Sequence, residues 1–398
     1  MQTASFNGAS GLRNNVAPER LTKNDLVTGV NIDLDESGAI MRRKGRTKLL
    51  GGATHSLYSL GETALMVQSG VMMQFAPDGS ISPIRTGILG TRVDYASIMD
   101  TVFWVDEHEA GIIDQRVARP WGVTPPSLIT LTQSVGELPE GRYSLTATYV
   151  RNDGHESGAR ASTQIDVTTG GISATLLPST DAQVDGIRIY MTTANGDVLY
   201  LYGEYDNAVQ TVGVNDPVDG DLPLRTQFFG PPPAGQLVAF FAGRMYVAKD
   251  NFLFYSLPYE HELFDLRYGF IPFEDRITMV APVTNGIFLG TTKQVNFMQG
   301  MTPEEFKTSK VYDLGVVEGT ARVVKADDIV EKAQPDPCAV WLGKDGLCVG
   351  LAVGQSNNLV GTVKNLTAEK YAMSVSAQTG ASVLKLREGT PHFVVSTT

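Results

Sequence analysis

The sequence predicts an all-β protein, and two observations support this prediction. In residues 243–300, short apolar segments alternate with turn signals such as Lys249-Asp250-Asn251 and Thr284-Asn285-Gly286, without a helical period. The composition agrees, because 41 glycines and 20 prolines accompany only 19% charged residues. Short strands joined by tight turns are typical of β-propellers, so the predicted architecture is a propeller.

The same strand-turn-strand unit recurs elsewhere in the chain. Residues 30–34 turn into residues 39–41, and residues 64–67 turn at Ser69-Gly70 into residues 71–75. A late unit turns at Lys344-Asp345-Gly346. The spacing is irregular, so we predict roughly five to seven blades, within the usual propeller range. One short connecting helix is predicted over residues 323–332.

Residues 125–229 are predicted to form an inserted module. Pro125-Pro126 precedes the segment and Gly230-Pro231-Pro232-Pro233 follows it, as in tethered insertions. Inside it, apolar and polar residues alternate over 143–149, and a second hairpin turns at Asn195-Gly196. About a hundred such residues fit one small immunoglobulin-like β-sandwich. The predicted division is therefore 1–124 propeller, 125–229 insert and 230–398 propeller.

Charge is unevenly distributed along the chain. The net charge is −11, yet residues 1–50 carry 8 Lys/Arg and 5 Asp/Glu, whereas residues 125–228 carry 5 Lys/Arg and 13 Asp/Glu. The overall negative charge argues against a nucleic-acid-binding surface, because it repels phosphate weakly and mainly at low salt. The acidic excess is concentrated in the predicted insert.

One basic run, MRRKGRTK, occupies residues 41–48. It could contact phosphate or the acidic face of a partner, or it could be a solvated strand edge, since cations at sheet edges discourage mispairing. No aromatic residue interleaves it, as binding of single-stranded nucleic acid would require. We therefore place a partner interface first and nucleic-acid recognition last. The predicted interface residues are Arg42, Arg43, Lys44, Arg46 and Lys48.

The chain lacks a recognisable catalytic motif. There is no Gly-x-Ser-x-Gly elbow and no phosphate-cradling loop. The histidines stand far apart without ligand spacing: His55, His108, His155, His261 and His392. We predict no enzyme activity, no catalytic or metal residues and no cofactor. The alternative is a propeller glycoside hydrolase or glycan-binding depolymerase, in which Asp100, Asp106 and Glu107 gather at a central channel.

Two acidic motifs are interpreted as turns. Asp33-x-Asp35-x-Ser37-Gly38 matches the first half of a calcium loop, but the twelfth position is Lys44, where a bidentate Glu is required. A hairpin turn is favoured there. Asp216, Asp219 and Asp221 are likewise interpreted as a surface turn instead of a weak cation site.

Several residues are assigned to the interior. Cys338 and Cys348 flank a turn in a register that does not place them opposite each other, so we predict two buried thiols without a disulfide. Burial in blade cores is also predicted for aromatic residues, namely Trp104, Trp121, Trp341, Phe252, Phe254 and Tyr255. The chain opens without a charged leader and an apolar core, and no run approaches about 20 apolar residues. A soluble protein made in a reducing cytoplasm is expected.

Two family resemblances emerge from these segments. The run GRYSLTATYVRNDGHESGARA in the insert resembles the fibronectin type III family, although the usual tryptophan is missing. Four segments outside the insert together resemble the stabilisation or nozzle proteins of short-tailed bacteriophages. These segments are FNGASGLRNNVAPERL, LVTGVNIDLDESGAIMRRKGRTKLL, AGRMYVAKDNFLFYSLPYEHELFD and ITMVAPVTNGIFLGTTKQVNFMQG.

The second resemblance implies a virion protein in the phage tail, made in the host bacterial cytoplasm. It implies a β-propeller subunit that forms a homo-oligomeric ring, commonly a hexamer, below the portal-adaptor complex. Such a ring extends and seals the DNA exit channel and anchors tail spikes or fibres. Genomic DNA would pass transiently without sequence-specific binding, and no membrane insertion is implied. A third hypothesis, a bacterial surface adhesin, requires a secretion signal that the N-terminus does not supply.

Overall fold

The chain folds into short strands, turns and loops. The computed structural model describes residues 8–35, 37–45, 51–61, 63–90, 92–114, 116–329, 336–353, 360–368, 370–387 and 390–397. Within these residues the helical structure consists of two single 3-10 turns, Pro18–Arg20 and Ala326–Asp328. The predicted all-β class is therefore confirmed.

Residues 8–45 form an N-terminal arm of four very short strands. They are β1 (Gly11–Leu12), β2 (Asp25–Leu26), β3 (Ile32–Leu34) and β4 (Ile40–Arg42). Strands β1 and β2 pair in parallel, whereas β3 and β4 form an antiparallel hairpin. Asp35 holds the hairpin turn, because its carboxylate accepts the Ala39 N–H at 2.8 Å and the Ser37 hydroxyl at 2.6 Å. The half calcium motif is thus a turn, as predicted.

Two four-stranded antiparallel meanders follow the arm. Sheet 1 contains β5 (Thr54–Leu60), β6 (Thr63–Gln68), β7 (Val71–Phe75) and β8 (Ile81–Thr86). Sheet 2 contains β9 (Asp94–Ile98), β10 (Thr101–Val105), β11 (Ala110–Asp114) and β12 (Val117–Pro120). The predicted hairpin at Ser69-Gly70 is present between β6 and β7.

The next seven strands form two sheets that share one core. They are β13 (Thr130–Ser134), β14 (Gly141–Arg151), β15 (Thr163–Val167), β16 (Gly171–Thr175), β17 (Val184–Met191), β18 (Tyr200–Asp206) and β19 (Thr211–Val214). The strand orders are β13-β16-β19 and β15-β14-β17-β18. Leu145, Ile189, Ile172 and Val214 from the two sheets are all fully buried in the shared core.

Three further meanders complete the series. Sheet 3 contains β20 (Leu237–Phe241), β21 (Arg244–Lys249), β22 (Phe252–Leu257) and β23 (Glu260–Phe264), with β24 (Phe270–Pro272) also paired to β22. Sheet 4 contains β25 (Ile277–Val283), β26 (Gly286–Thr291), β27 (Val295–Gln299) and β28 (Lys307–Tyr312). Sheet 5 contains β29 (Arg322–Val324), β30 (Cys338–Gly343), β31 (Gly346–Val353) and β32 (Val360–Asn365). A final hairpin joins β33 (Gly380–Arg387) to β34 (Thr390–Thr397).

Consecutive meanders pack face to face, so a sheet that lies between two others is buried on both sides. In β10, Trp104 points into a core shared with sheet 1, whereas Phe103 points into a core shared with sheet 3. Side chains alternate between the two faces of a strand, so both faces must be apolar when both are covered. This explains the nearly continuous apolar runs of the sequence.

The same packing continues to the end of the chain. Ile287 of β26 lies in a core shared with sheet 3, and its neighbour Phe288 lies in a core shared with Trp341 of sheet 5. The first strands of sheets 2 to 5 lie side by side in chain order. Arg92, just before β9, donates a hydrogen bond to the carbonyl of Gly380 in β33 at 3.2 Å. The last hairpin therefore contacts the segment before sheet 2, so the end of the chain returns to the early sheets.

Two sequence predictions about local structure are wrong. The helix predicted over 323–332 is not found in its described part, 323–329, where β29 covers the first two residues and one 3-10 turn follows at Ala326–Asp328; residues 330–332 lie outside the described part. Phe252 is not a core residue, because it is 36% exposed while its neighbour Leu253 is fully buried.

Phe254 and Tyr255 are only partly buried, whereas the assignments of the tryptophans and cysteines to the interior are supported. Trp104, Trp121 and Trp341 are at most 1% exposed. Cys338 and Cys348 are buried thiols that are not joined in a disulfide, and Cys348 lies opposite Trp341 in the β30–β31 ladder. The register thus separates the two sulfurs, as the turn position predicted.

Candidate partner interface

The basic run predicted as an interface lies at the end of the β3–β4 hairpin. Arg42 is the last residue of β4, Arg43 and Lys44 follow it, and all three are exposed. Together with Asn31 and Gly45 they line an open groove. The other two predicted residues, Arg46 and Lys48, lie outside the described residues.

The three described cations have different surroundings. Arg43 Nε donates to Asp33 Oδ1 at 3.1 Å across the hairpin, so this guanidinium helps to fix the hairpin itself. Arg42 forms no ion pair with any residue that the structure describes. The groove therefore presents a cation that a partner can neutralise without breaking an existing pair.

Apolar side chains are exposed beside these cations. Val30 is 84% exposed, Val27 53%, Ile40 44% and Met41 39%. A two-stranded hairpin is at best marginally stable in water unless another surface covers its apolar side chains. Exposed apolar residues next to charged ones are typical of protein interaction surfaces. We define the hairpin surface as residues 27–45 of the arm.

The hairpin surface belongs to an arm that is tied to the end of the chain. The Asn14 side chain donates to the Ala372 carbonyl at 2.9 Å and accepts the Ala372 N–H at 2.6 Å. Asn15 donates to the Ala368 carbonyl at 3.2 Å. These bonds hold the base of the arm against Ala368 and Ala372, whereas apolar side chains of the hairpin surface stay exposed.

The residues of the hydrolase alternative do not form one site. Asp100 is exposed in the β9–β10 turn. Asp106 is 1% exposed and accepts the backbone N–H groups of Gly90, His108 and Glu109, which makes it a turn-stabilising residue. Glu107 accepts a hydrogen bond from Arg276 at 2.5 Å. The expected gathering of three carboxylates is therefore not found.

Arg276 instead connects carboxylates where sheets 2 to 5 meet. It lies within 2.5 Å of Glu107, 3.5 Å of Asp250 and 3.5 Å of Glu318. Burial opposes its charge, but the hydrogen bond with Glu107 and the nearby carboxylates raise the pKa of Arg276. Burial also raises the pKa of Glu318, an effect that Arg276 and Arg92 reduce. Glu107, Asp250 and Glu318 thus share the positive charge of Arg276.

A second ionic cluster joins the β13–β19 unit to sheets 2 and 3. Glu262 of β23 accepts hydrogen bonds from Arg119 of β12 at 2.7 Å and from Arg151 of β14 at 2.8 and 3.1 Å. Arg151 also binds Asp153 at 2.6 Å and is only 5% exposed. Burial acts to raise the pKa of Glu262, but the hydrogen bonds from the two arginines prevail and lower it.

Sequence reasoning missed this cluster. The partners of Glu262 are separated from it by 143 and 111 residues. The sequence offered only an indirect signal for it. Glu262 lies within the strand segment EHELF, and Arg151 ends the buried strand β14. Charged residues in buried strands need partners. The sequence does not identify which partners they take.

The described residues contain neither a candidate metal site nor a candidate membrane-spanning helix. No group of three or more His, Cys, Asp or Glu side chains there is arranged to hold a metal ion. No helix among those residues is long and apolar enough to span a membrane.

Comparisons with known proteins give only distant structural similarities. No protein-family model matches the chain, and no curated protein is significantly similar to it. The streptogramin B lyase structure aligns at 10% identity over 83% of this chain and 89% of that chain, with a TM-score of 0.32. The crystal structure of BBS1N in complex with ARL6DN, soaked with lead, aligns at 9% identity over 89% and 96%, with a TM-score of 0.34. The N-terminal domain of Nup159 aligns at 8% identity over 86% and 72%, with a TM-score of 0.31. At these scores the similarities carry no argument about function.

Proposed function

We propose that this chain is a structural, non-enzymatic tail protein of a short-tailed bacteriophage. In this proposal, copies assemble into a ring that extends the DNA exit channel below the portal-adaptor complex and anchors spikes or fibres. The hairpin surface carries the proposal, because it exposes apolar and basic side chains on an arm whose base is hydrogen-bonded to Ala368 and Ala372. An element of this kind is stabilised by docking on a neighbour.

The proposed fold is a β-propeller with an inserted sandwich. Five four-stranded meanders pack face to face in chain order, and the β33–β34 hairpin follows them next to the early sheets. Two packed sheets formed by β13 to β19 support an immunoglobulin or fibronectin-like insert within 125–229. A rigid, closed series of sheets suits a wall component, since it leaves few free edges.

The distribution of charge supports a passive role toward DNA. A net charge of −11 disfavours retention of a passing duplex. Arg276 lies between Glu107, Asp250 and Glu318, and this shared cation gives no support to the pair of independently acting carboxylates that a hydrolase would need. The glycoside hydrolase alternative predicts turnover of a polysaccharide that is lost in Glu107→Gln.

Negative-stain electron microscopy and light scattering of the purified chain test the proposal. We expect rings of uniform size from the wild type, and the same density at the tail of intact virions. Arg42→Glu with Lys44→Glu should reduce assembly, whereas Lys293→Glu with Lys310→Glu, two exposed cations of sheet 4, should leave it unchanged. A wild-type chain that stays monomeric and is absent from virions would contradict the proposal.

A further inference from the structure

The β13–β19 unit is joined to sheets 2 and 3 at one end. Its opposite end carries a surface complementary to the hairpin surface. Strand β14 runs from Gly141 at this far end to Arg151 at the joint with Glu262. Its 11 residues span about 33 Å at the usual rise per residue. The loops 135–140, 193–198 and 215–222 meet at the far end, since Glu137 N–H donates to the Asn215 carbonyl and Arg142 N–H to the Asn195 side chain.

These loops are acidic and partly apolar. Six exposed carboxylates lie in them, and none forms an ion pair with another described residue: Glu137, Glu140, Asp197, Asp216, Asp219 and Asp221. The cations nearby are Arg142, which pairs with Asp166 at 2.8 Å, and Arg225. Val135 is 89% exposed and Leu222 is 61% exposed. We call this surface the acidic tip.

We propose that the hairpin surface of one copy docks on the acidic tip of a second copy of this chain. The basic end of the hairpin surface, Arg42 to Lys44, is opposite in charge to the acidic tip, and each surface adds exposed aliphatic side chains that the contact would bury. In the described part of the chain the side chains named above are exposed on both surfaces, and we place the contact between two copies. This inference rests on the proposed ring, and it names the interface that closes it.

Such a contact is heterologous, because two different surfaces of the same chain meet. Heterologous contacts generate closed rings when the rotation closes and filaments when it does not. The acidic tip lies at the end of the β13–β19 unit opposite the Glu262 cluster, and that cluster fixes the unit to sheets 2 and 3. The length of the β13–β19 unit lets the acidic tip reach a neighbouring copy. Its attachment at the Glu262 cluster fixes the direction in which the tip extends.

Two complementary charge reversals test the inference. The first variant carries Arg42→Glu and Lys44→Glu, and leaves Arg43 in its pair with Asp33. The second carries Asp216→Lys, Asp219→Lys and Asp221→Lys. Each variant places like charges across the contact, so we expect self-association about 100-fold weaker than that of the wild type. Circular dichroism should be unchanged, because all five positions are exposed.

The decisive measurement is the mixture. In a 1:1 mixture, the reversed hairpin of the first variant faces the reversed tip of the second, and both remaining surfaces are wild type. We expect rings to reappear with alternating variants and an even subunit number, observed by light scattering and native mass spectrometry. A matched control, Asp114→Lys with Asp185→Lys and Glu260→Lys, changes the same charge at exposed positions outside the tip and should assemble like the wild type.

The outcomes separate this inference from the proposed function. If the wild type forms rings but the tip variant also does, or if the mixture stays monomeric, the ring stands and the hairpin-to-tip contact is wrong. If the wild type itself never assembles, the proposed function fails and the contact fails with it.

Discussion

Glu262→Gln should destabilise the protein by about 3 kcal/mol, in the range found when one partner of a buried ion pair is removed. The carboxylate has three hydrogen bonds of 2.7, 2.8 and 3.1 Å from Arg119 and Arg151. The side chains of Glu262, Arg119 and Arg151 are only 11%, 16% and 5% exposed. Removing the negative charge leaves two poorly hydrated guanidinium groups, and Asp153 neutralises only one of them.

Urea denaturation followed by tryptophan fluorescence measures this loss. The matched control is Glu260→Gln, two residues earlier on β23 and exposed, which should change the free energy of unfolding by less than about 0.5 kcal/mol. Because the cluster joins two parts of the chain, we also expect faster proteolysis near residues 226–230 in Glu262→Gln. A loss below about 1 kcal/mol would show that the cluster contributes little beyond its own desolvation.

The same variant predicts a specific pH dependence. The pKa of Glu262 is lowered from an ordinary value of 4.5. A carboxyl group with a depressed folded-state pKa stabilises the protein above its unfolded-state pKa, and this stabilisation is lost as the pH falls through the folded value. The difference in unfolding free energy between wild type and Glu262→Gln should therefore be constant near neutral pH and shrink below about pH 4.5. An unchanged difference in acid would contradict the assignment.

Three further predictions concern stability measured by the same urea titrations. Gly319→Ala should cost about 3 kcal/mol, because φ is +90° and a Cβ would collide with the backbone carbonyl oxygen of Gly380 as well as with the Arg92 guanidinium, whereas Gly154→Ala, at φ +84° without a neighbour within 4 Å, should cost about 1 kcal/mol. Tyr143→Phe should cost about 1 kcal/mol, since the hydroxyl donates to the Pro139 carbonyl at 2.8 Å. Lys293→Ala should leave the midpoint unchanged, although Lys293 lies 2.7 Å from Asp275, because the lysine is 75% exposed; a clear loss would mean that this ion pair is structural.

Local sequence patterns were sufficient to predict the strand class and several hairpins. Ser69 adopts a φ of +49° and Gly70 one of +76°, and both residues lie in the predicted turn between β6 and β7. The Lys344-Asp345 turn likewise sets the register that separates the two cysteines. These features depend on neighbouring residues, so the sequence contains the necessary information.

Features that depend on distant segments could not be predicted. Apolar and polar residues alternate over 143–149, a pattern typical of a strand with one solvated face, yet Thr148 is fully buried. The segment around Glu156 covers that face, and the Thr148 hydroxyl donates to Glu156 Oε1 at 2.6 Å. Similarly, Phe252 in an apolar strand is 36% exposed, although Phe254, on the same face of β22, packs against the core between sheets 2 and 3. Burial of a position depends on which segment covers it, and this is a property of the assembled sheets.

The candidate interface shows the same division between local and distant information. The basic run was visible as a charge pattern, but its significance depends on the arm that carries it. Asn14 fixes the base of that arm to Ala372, 358 residues away in the sequence. Asp33 keeps Arg43 within the hairpin, while Arg42 faces the open groove. A basic segment that is anchored at its base and lies beside exposed apolar side chains is suited to binding a neighbour, because the contact would bury those side chains and stabilise the hairpin.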